Sequence, residues 1–206
     1  MPHLLPPYLV VFFCLLASCS SLFQVKKATG IPNSVPAIKA SILELANLTK
    51  RGLDATPEQE AKMNQLFETL EKKNSNRATL KNKYLSANWD LRYTTSASII
   101  GKGDSLNPRF GKILQKIDVA NLKAENSEVI NFLGIFKIPR KVTAELTPVS
   151  PSKVNVQFKK FTIGPVSFPA PEAFKGSLDV TYLDENMRLS RGDKGNIFVL
   201  VRDSAL

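Results

Sequence analysis

The residues best suited to nucleophilic, redox or metal chemistry are concentrated at the start of the chain. The 206-residue sequence contains two cysteines and one histidine, and Cys14, Cys19 and His3 all precede residue 20. If this segment is a leader, the remaining domain lacks both residue types. Ser-His-Asp and Cys-His catalysis, disulfides and most zinc, haem and iron–sulfur sites are then excluded. An enzyme is disfavoured, although catalysis by carboxylates, lysine or tyrosine stays open.

Other patterns that could do chemistry are typical of turns. Asp184 and Glu185 stand side by side before Asn186, which predicts a hairpin turn with an Asp184 side-chain bond to the backbone. The tripeptide at residues 191–193, Arg-Gly-Asp, is interpreted in the same way. The sequence contains no phosphate-binding P-loop, dinucleotide-binding glycine motif or metal-ligand spacing. We therefore predict no catalytic residue, no cofactor and no metal.

The first 30 residues predict a cleaved targeting leader. Residues 1–25 carry no charged side chain, and their apolar stretch is only residues 9–17. Such a stretch spans about 13 Å as a helix, against about 30 Å for a bilayer core, so no transmembrane helix is expected. The small residues that follow are typical of a cleavage site. Two alternatives stay open: a lipid anchor on Cys19, and a retained or mis-annotated start.

Residues 31–83 predict two helices. Apolar residues recur at three- and four-residue steps from Val35 to Leu48. Residues 56–59, Thr-Pro-Glu-Gln, form a capping box with proline at the first helical position. The second apolar stripe then comprises Met63, Leu66, Phe67 and Leu70. We expect both stripes to pack on the rest of the domain, the alternative being a helix pair that binds a partner.

Residues 84–206 predict an antiparallel β domain. Apolar and polar residues alternate in about eight segments without helix-length gaps, which is typical of a meander, sandwich or barrel. On the first strand, Trp89, Leu91 and Tyr93 are predicted to share one face. The fold class is therefore α+β and mainly β. A small closed barrel can hold one apolar ligand in its interior.

Two segments of the β domain resemble a known family. Residues 89–95 are Trp-Asp-Leu-Arg-Tyr-Thr-Thr, and residues 182–195 are Tyr-Leu-Asp-Glu-Asn-Met-Arg-Leu-Ser-Arg-Gly-Asp-Lys-Gly. In this order they resemble the plastid lipid-associated proteins, or plant fibrillins, and the similarity covers residues 34–202. The resemblance implies a lipocalin-like β-barrel preceded by two N-terminal helices. It also implies a chloroplast or other plastid location at plastoglobules or thylakoids, where lipids, quinones or carotenoids are bound or organised without catalysis.

The same resemblance implies where a ligand would lie. In lipocalin-like barrels a tryptophan of the first strand sits at the closed end, beneath an arginine of the last strands. Trp89 would take this position, with Arg188 or Arg191 held over it by a cation–π contact. Further aromatic rings are predicted to point inward, as pocket or as plain core. The predicted ligand-binding residues are Trp89, Tyr93, Phe158, Tyr182 and Arg188.

A second surface is predicted between residues 158 and 174. Aromatic residues alternate there with lysines, and prolines at 165, 169 and 171 predict a loop over residues 164–171. Apolar side chains beside lysines suit a barrel rim that contacts a lipid surface. A lid folded onto the core is the alternative. The predicted membrane contacts are Phe161, Phe168, Phe174, Lys159 and Lys160.

The net charge of +10 favours partners that carry negative charge. The first 30 residues hold two lysines and no acid, so residues 31–206 carry 26 basic against 18 acidic side chains. No basic helix or aromatic–basic RNA motif is present, so an anionic lipid surface suits this surplus better than nucleic acid. We expect a non-catalytic protein that binds or organises hydrophobic metabolites. The alternative is a structural coat or scaffold whose barrel is filled.

Overall fold

Two helices open the described part of the chain, which in this computed structural model comprises residues 30–104 and 108–206. Helix α1 spans Val35–Leu48 and helix α2 spans Pro57–Lys72. The predicted capping box starts α2: the Gln59 amide donates to Thr56 Oγ1 over 3.3 Å, and the Thr56 amide donates to Gln59 Oε1 over 2.9 Å. The two predicted helices are therefore confirmed, whereas the leader and the Cys19 anchor lie outside the described residues.

Nine strands follow the helices, and eight of them close into a barrel. The strand order is β4-β3-β2-β1-β9-β8-β7-β5-β6, and β4 also pairs with β5, which closes the sheet. All pairings are antiparallel, and β6 extends from β5 outside the closed ring. The predicted antiparallel barrel is confirmed. The strands are β1 Ala87–Thr94, β2 Arg109–Asp118, β3 Lys123–Phe132, β4 Phe136–Pro148, β5 Lys153–Ile163, β6 Val166–Pro169, β7 Lys175–Leu183, β8 Met187–Gly192 and β9 Ile197–Ala205.

The barrel wall separates two apolar cores. The outer core joins the stripes of α1 and α2 to outward residues of β1, β7, β8 and β9, including Tyr93, Tyr182 and Leu189. The inner core lies inside the barrel and includes Trp89 and Leu91. Both predicted stripes thus pack on the sheet. Among the described residues, no helix is long and apolar enough to span a bilayer.

The chain between α2 and β1 crosses one end of the barrel, which we call the closed end. Thr79 Oγ1 donates to the Val180 carbonyl over 2.9 Å, and the Leu80 amide donates to the Pro151 carbonyl over 3.0 Å. These bonds tie the crossing segment to β7 and to the turn between β4 and β5. The opposite end, where β1 and β5 end and β4 begins, is called the rim.

A hairpin replaces most of the loop predicted over residues 164–171. Strand β5 continues to Ile163, the chain turns at Gly164, and β6 returns along β5 from Val166 to Pro169. The prediction was wrong here because proline removes only a donor, and an edge strand can spare a donor on its open side. Pro169 ends the strand, so it leaves the preceding pairs intact.

Candidate ligand-binding cavity

A cavity of about 840 Å³ runs through the barrel from the closed end to the rim. Sites for small molecules are typically about 300–1,000 Å³, so this volume suits one lipid-sized ligand. All eight barrel strands contribute to the walls, which are mainly apolar. Representative apolar wall residues are Leu91, Ile113, Val142, Val156, Phe158 and Leu200.

Small side chains explain why the interior is not filled. An eight-stranded barrel is usually just wide enough for its inward side chains to fill the interior. Here several inward positions hold small residues, and the missing side-chain volume becomes cavity. Those lining residues are Ala124, Ala144, Gly176, Ser190 and Gly192.

Trp89 and Arg188 form a buried pair in the wall nearest the closed end. Both side chains are fully buried, and the Arg188 guanidinium carbon lies 5.2 Å from the centre of the Trp89 ring. Trp89 Nε1 donates to the Leu85 carbonyl over 3.0 Å, which fixes the indole in the segment that leads into β1. The Arg202 guanidinium carbon also lies over this ring, at 5.6 Å. The predicted arginine–tryptophan contact is thus confirmed for Arg188.

Strand β8 gives its two faces to different cores. Met187 and Leu189 point outward to the helices, whereas Arg188 and Ser190 line the cavity. Arg191 follows the outward set: its guanidinium carbon lies 5.0 Å from the Phe67 ring, and its Nε and Nη2 donate to the Glu71 carboxylate over 2.8 and 2.7 Å. The two arginines that sequence alone left as alternatives therefore have different roles.

A short row of polar side chains crosses the apolar interior. Arg188 Nη2 donates to Gln115 Oε1, and Gln115 Nε2 donates to Asn126 Oδ1 over 2.9 Å. Three buried atoms of this region, Arg188 Nε, Arg188 Nη1 and Ser190 Oγ, have no hydrogen-bond partner among the described residues. Burial lowers the pKa of Arg188 to about 9, so the guanidinium stays protonated at neutral pH.

Tyr93 and Tyr182 lie outside the barrel, so the prediction that both rings point inward was wrong. The β1–β9 register shifts between Leu91 and Tyr93, and the β7–β8 register shifts between Val180 and Tyr182. A β-bulge inserts one residue and reverses the face of every side chain beyond it. Both rings therefore pack in the outer core with the helices.

Burial explains the acid–base properties of the outer tyrosines. Burial raises the pKa of Tyr93 to about 12. Burial also raises the pKa of Tyr182, and its hydroxyl, which donates to Asp184 Oδ2, adds to the rise. Both phenols are thus neutral packing groups near neutral pH.

Of the five residues predicted to bind a ligand, Phe158 and Arg188 line the cavity. Trp89 stands behind Arg188, and the two tyrosines are on the other side of the wall. Sequence reasoning missed the polar row of Gln115 and Asn126. A signal was present, because Gln115 interrupts the inward series of Ile113 and Ile117 on β2.

The three phenylalanines predicted to contact a membrane form one cluster at the rim. Ring centres of Phe161 and Phe168 are 5.7 Å apart, and those of Phe161 and Phe174 are 5.6 Å apart with an edge-on geometry. Phe161 and Phe174 line the cavity, while Phe168 and Phe174 are 43% and 50% exposed. Lys160 is exposed next to them, and Lys159 pairs with Glu145 over 2.8 Å. The cluster is therefore both cavity mouth and surface.

A second apolar hairpin, missed from the sequence, projects from the same end. The β3–β4 turn exposes Leu133 and Ile135 by 52% and 73%. Residues 128–138 are a mostly apolar run that Gly134 interrupts, and Gly134, with a φ of +72°, turns the chain in its middle. Nine of the thirteen large apolar side chains exposed in the described residues belong to the rim: Phe110, Phe132, Leu133, Ile135, Phe136, Ile163, Val166, Phe168 and Phe174.

The carboxylate of Glu128 at the rim is paired with two arginines. Glu128 accepts from Arg140 Nη2 over 2.5 Å and lies 3.0 Å from Arg109 Nε. In the described ranges, no group of three or more His, Cys, Asp or Glu residues could hold a metal ion. The residues present here suit binding of an apolar molecule better than acid–base chemistry.

Comparison with known proteins gives a consistent result. The model of the PAP_fibrillin family matches residues 37–201. Probable plastid-lipid-associated protein 5, chloroplastic, of Arabidopsis thaliana is 32% identical over 187 residues, which cover 88% of this chain and 76% of that protein. Chromoplast-specific carotenoid-associated protein C1 of an Oncidium hybrid cultivar is 27% identical, with 87% and 73% covered. No solved structure gives a significant match.

A third relative is the light-induced protein, chloroplastic, of Solanum tuberosum, which is 25% identical over 84% of this chain and 69% of that protein. The relatives are chloroplastic or chromoplastic proteins, so the plastid location predicted from the sequence is confirmed.

Proposed function

This chain belongs to the PAP_fibrillin family of plastid lipid-associated proteins, and on that basis we propose that it is a non-catalytic carrier of one hydrophobic metabolite. The ligand occupies the barrel, and the rim contacts a plastoglobule or thylakoid surface. Lipids, quinones and carotenoids are the candidate ligand classes. The observation that carries the proposal is the apolar cavity of about 840 Å³, because a pure coat protein needs no such interior.

Desolvation supplies the driving force for binding. Burial of apolar surface contributes about 25 cal/mol per Å², and the walls offer apolar side chains on all sides. The aliphatic residues Leu91 and Leu200 and the ring of Phe158 bound the interior. An extended acyl chain or polyene that enters the cavity can therefore leave water and contact apolar side chains along most of its length.

The position of the mouth supports transfer from a lipid surface. Phe161 and Phe174 line the cavity and stand among the exposed apolar residues of the rim. If the rim enters the interfacial layer of a membrane, the mouth opens into lipid instead of water. A hydrophobic ligand then reaches the barrel without crossing the aqueous phase. Lys160 beside this mouth favours anionic head groups.

The structural coat is the second candidate, and the exposed rim favours it. A coat protein would use the apolar hairpins to adsorb on lipid bodies and would have no use for a ligand. The coat and the carrier differ in one expected result. A coat protein purified from its native tissue would contain no ligand in the barrel.

Extraction with organic solvent distinguishes the carrier from the coat. The native protein should release one hydrophobic compound per chain, and Ala144→Phe, which fills the cavity from β4, should greatly reduce that amount. Ala61→Phe on the exposed surface of α2 is the matched control and should leave ligand content unchanged. Flotation with liposomes should be the same for both variants. Repeatedly empty extracts, or full occupancy of Ala144→Phe, would contradict the carrier and favour the coat.

A further inference from the structure

Among the described residues, no side chain supplies a counter-charge to the cation inside the barrel. Arg188 is fully buried, and the cause of its lowered pKa is burial alone, with no contribution from a nearby charged side chain. Its one hydrogen-bonded side-chain partner among the described residues is the neutral amide of Gln115. The carboxylate of Glu128, which also lines the cavity, is held at the rim by Arg109 and Arg140.

An unpaired buried charge is expensive, and the surroundings offset only part of this cost. Removing a cation from water is strongly unfavourable unless opposite charge and hydrogen bonds replace the solvent. The Trp89 ring, 5.2 Å from the guanidinium carbon, provides a cation–π attraction that replaces only part of the lost hydration. The guanidinium of Arg202 lies over the same ring, so the local charge becomes more positive.

The neighbouring polar atoms also match an acceptor. Arg188 Nε and Nη1 lack acceptors in the described part of the protein, and Ser190 Oγ on the same inward face of β8 lacks a partner there too. Hydroxyl and guanidinium groups can all donate, and a carboxylate is an acceptor with two oxygens and one negative charge. One carboxylate would supply what this end of the cavity lacks.

We propose that the metabolite held in the barrel is a long-chain carboxylate, bound with its carboxylate at Arg188 and its apolar chain directed toward Phe161 and Phe174 at the rim. This inference rests on the proposed function, since it needs a ligand in the barrel. It narrows that function to a ligand with one anionic end. Arg188 lies near the beginning of β8, so the charged end is bound deep in the barrel and the tail nearest the mouth.

The test compares two probes that differ only in charge. cis-Parinaric acid and its methyl ester share a fluorescent polyene chain, and their affinities for the purified protein can be measured by titration. We expect the acid to bind about tenfold more tightly than the ester, because charge-assisted hydrogen bonds are the stronger ones. Equal binding of acid and ester would overturn the inference and leave the carrier function standing. Binding of neither would contradict the carrier function and, with it, this inference.

Two variants locate the preference. Gln115→Glu keeps the size of the side chain and places a carboxylate against Arg188, so it should abolish the preference for the acid while the ester still binds. Arg188→Met should act in the same direction, and Gln115→Glu keeps the test valid if Arg188→Met fails to fold. Gln65→Glu on the exposed surface of α2 is the matched control and should retain the preference. An acid preference that survives Gln115→Glu would overturn the assignment to Arg188.

Discussion

Leu91 and Tyr93 stand two residues apart on β1 but face opposite sides of the barrel wall. Leu91 is 4% exposed and lines the cavity, whereas Tyr93 is 1% exposed and packs against the helices. The extra residue at the bulge is Arg92, which has no partner in the β1–β9 register. The backbone of Gly52 packs directly against the end of β1. A Cβ atom added to Gly52 would lie only 2.6 Å from the Thr94 carbonyl oxygen, so only glycine fits at this position. One strand thus contributes to two cores.

This arrangement predicts different effects for the two side chains. Tyr93→Ala should lower the free energy of unfolding by about 3–5 kcal/mol, as is typical for loss of a large buried ring. It should leave the affinity of the folded protein for a polyene probe within about twofold, since no wall atom is removed. Leu91→Ala should lower the affinity for the polyene probe. It should reduce the free energy of unfolding by less than Tyr93→Ala does, because it enlarges an existing cavity. Urea unfolding and fluorescence titration measure both quantities, and the opposite pattern would contradict the assignment of faces.

Asp184 predicts a pH-dependent contribution to stability. Partial burial alone would raise its pKa, but hydrogen bonds from Lys39, Tyr182 and the amides of Asn186 and Met187 outweigh this, so the pKa is lowered. The folded protein thus binds the proton less tightly than the unfolded chain. The stabilisation is complete above the unfolded pKa of about 3.9 and is lost as the pH falls through the lower folded value.

Asp184→Asn should therefore destabilise the protein by about 1–3 kcal/mol near neutral pH, as expected for loss of charged hydrogen bonds. The difference from the parent should shrink as the pH falls below about 4. Glu185→Gln, at the adjacent exposed carboxylate, is the control and should have little effect at either pH. Thermal unfolding over a series of pH values measures both. A constant difference across the series would argue against the charge of Asp184 as the cause.

The rim predicts that two hairpins act together on lipid. Replacing Phe161, Phe168 and Phe174 by serine should abolish flotation with anionic liposomes, because the apolar surface that enters the interface is lost. Leu133→Ser with Ile135→Ser on the β3–β4 turn should have a comparable effect. Val149→Ser at the closed end, where this side chain is 52% exposed, is the matched control. Normal flotation of the Leu133/Ile135 variant would remove that hairpin from the contact surface.

The two neighbouring lysines are expected to differ. Lys159 is neutralised by Glu145 at 2.8 Å, whereas no ion pair is found for Lys160 among the described residues. Lys160→Gln should therefore weaken binding to anionic vesicles by about 1 kcal/mol, and Lys159→Gln should weaken it less. The difference should fade at high salt because screening shortens electrostatic range. Vesicle sedimentation at two salt concentrations measures this, and a larger effect at Lys159 would refute it.

The helices and the strand pattern were predictable because local signals dominate there. The capping box at Thr56 satisfies backbone donors within four residues, and the apolar stripe of α2 has only one possible face. The chemistry excluded by the distribution of cysteine and histidine also needed no structure. The pairing of Arg188 with Trp89 was available through resemblance to known proteins, although the residues themselves did not separate Arg188 from Arg191.

What the sequence did not reveal depends on geometry between distant strands. The bulges that turn the side chains of Tyr93 and Tyr182 to the outer face arise where β1 pairs with β9 and β7 pairs with β8. The alternation of apolar and polar residues along a single strand does not reveal them. The cavity depends on volume missing at inward positions such as Ala124 and Ala144, which are separated by a full hairpin. The polar row at Gln115 required knowledge of which residues meet across the barrel.

Strand β8 separates the positions that shape the cavity from the positions that hold the helices. Its six residues alternate between helix-packing positions, such as Leu189, and cavity positions, such as Arg188 and Ser190. Substitutions at the inward positions alter the cavity wall, whereas substitutions at the outward positions disturb the packing against the helices. In a directed-evolution library that keeps Arg188, randomising 190 and 192 should yield many folded proteins, some with new ligand preferences. Randomising 187, 189 and 191 should yield few folded ones.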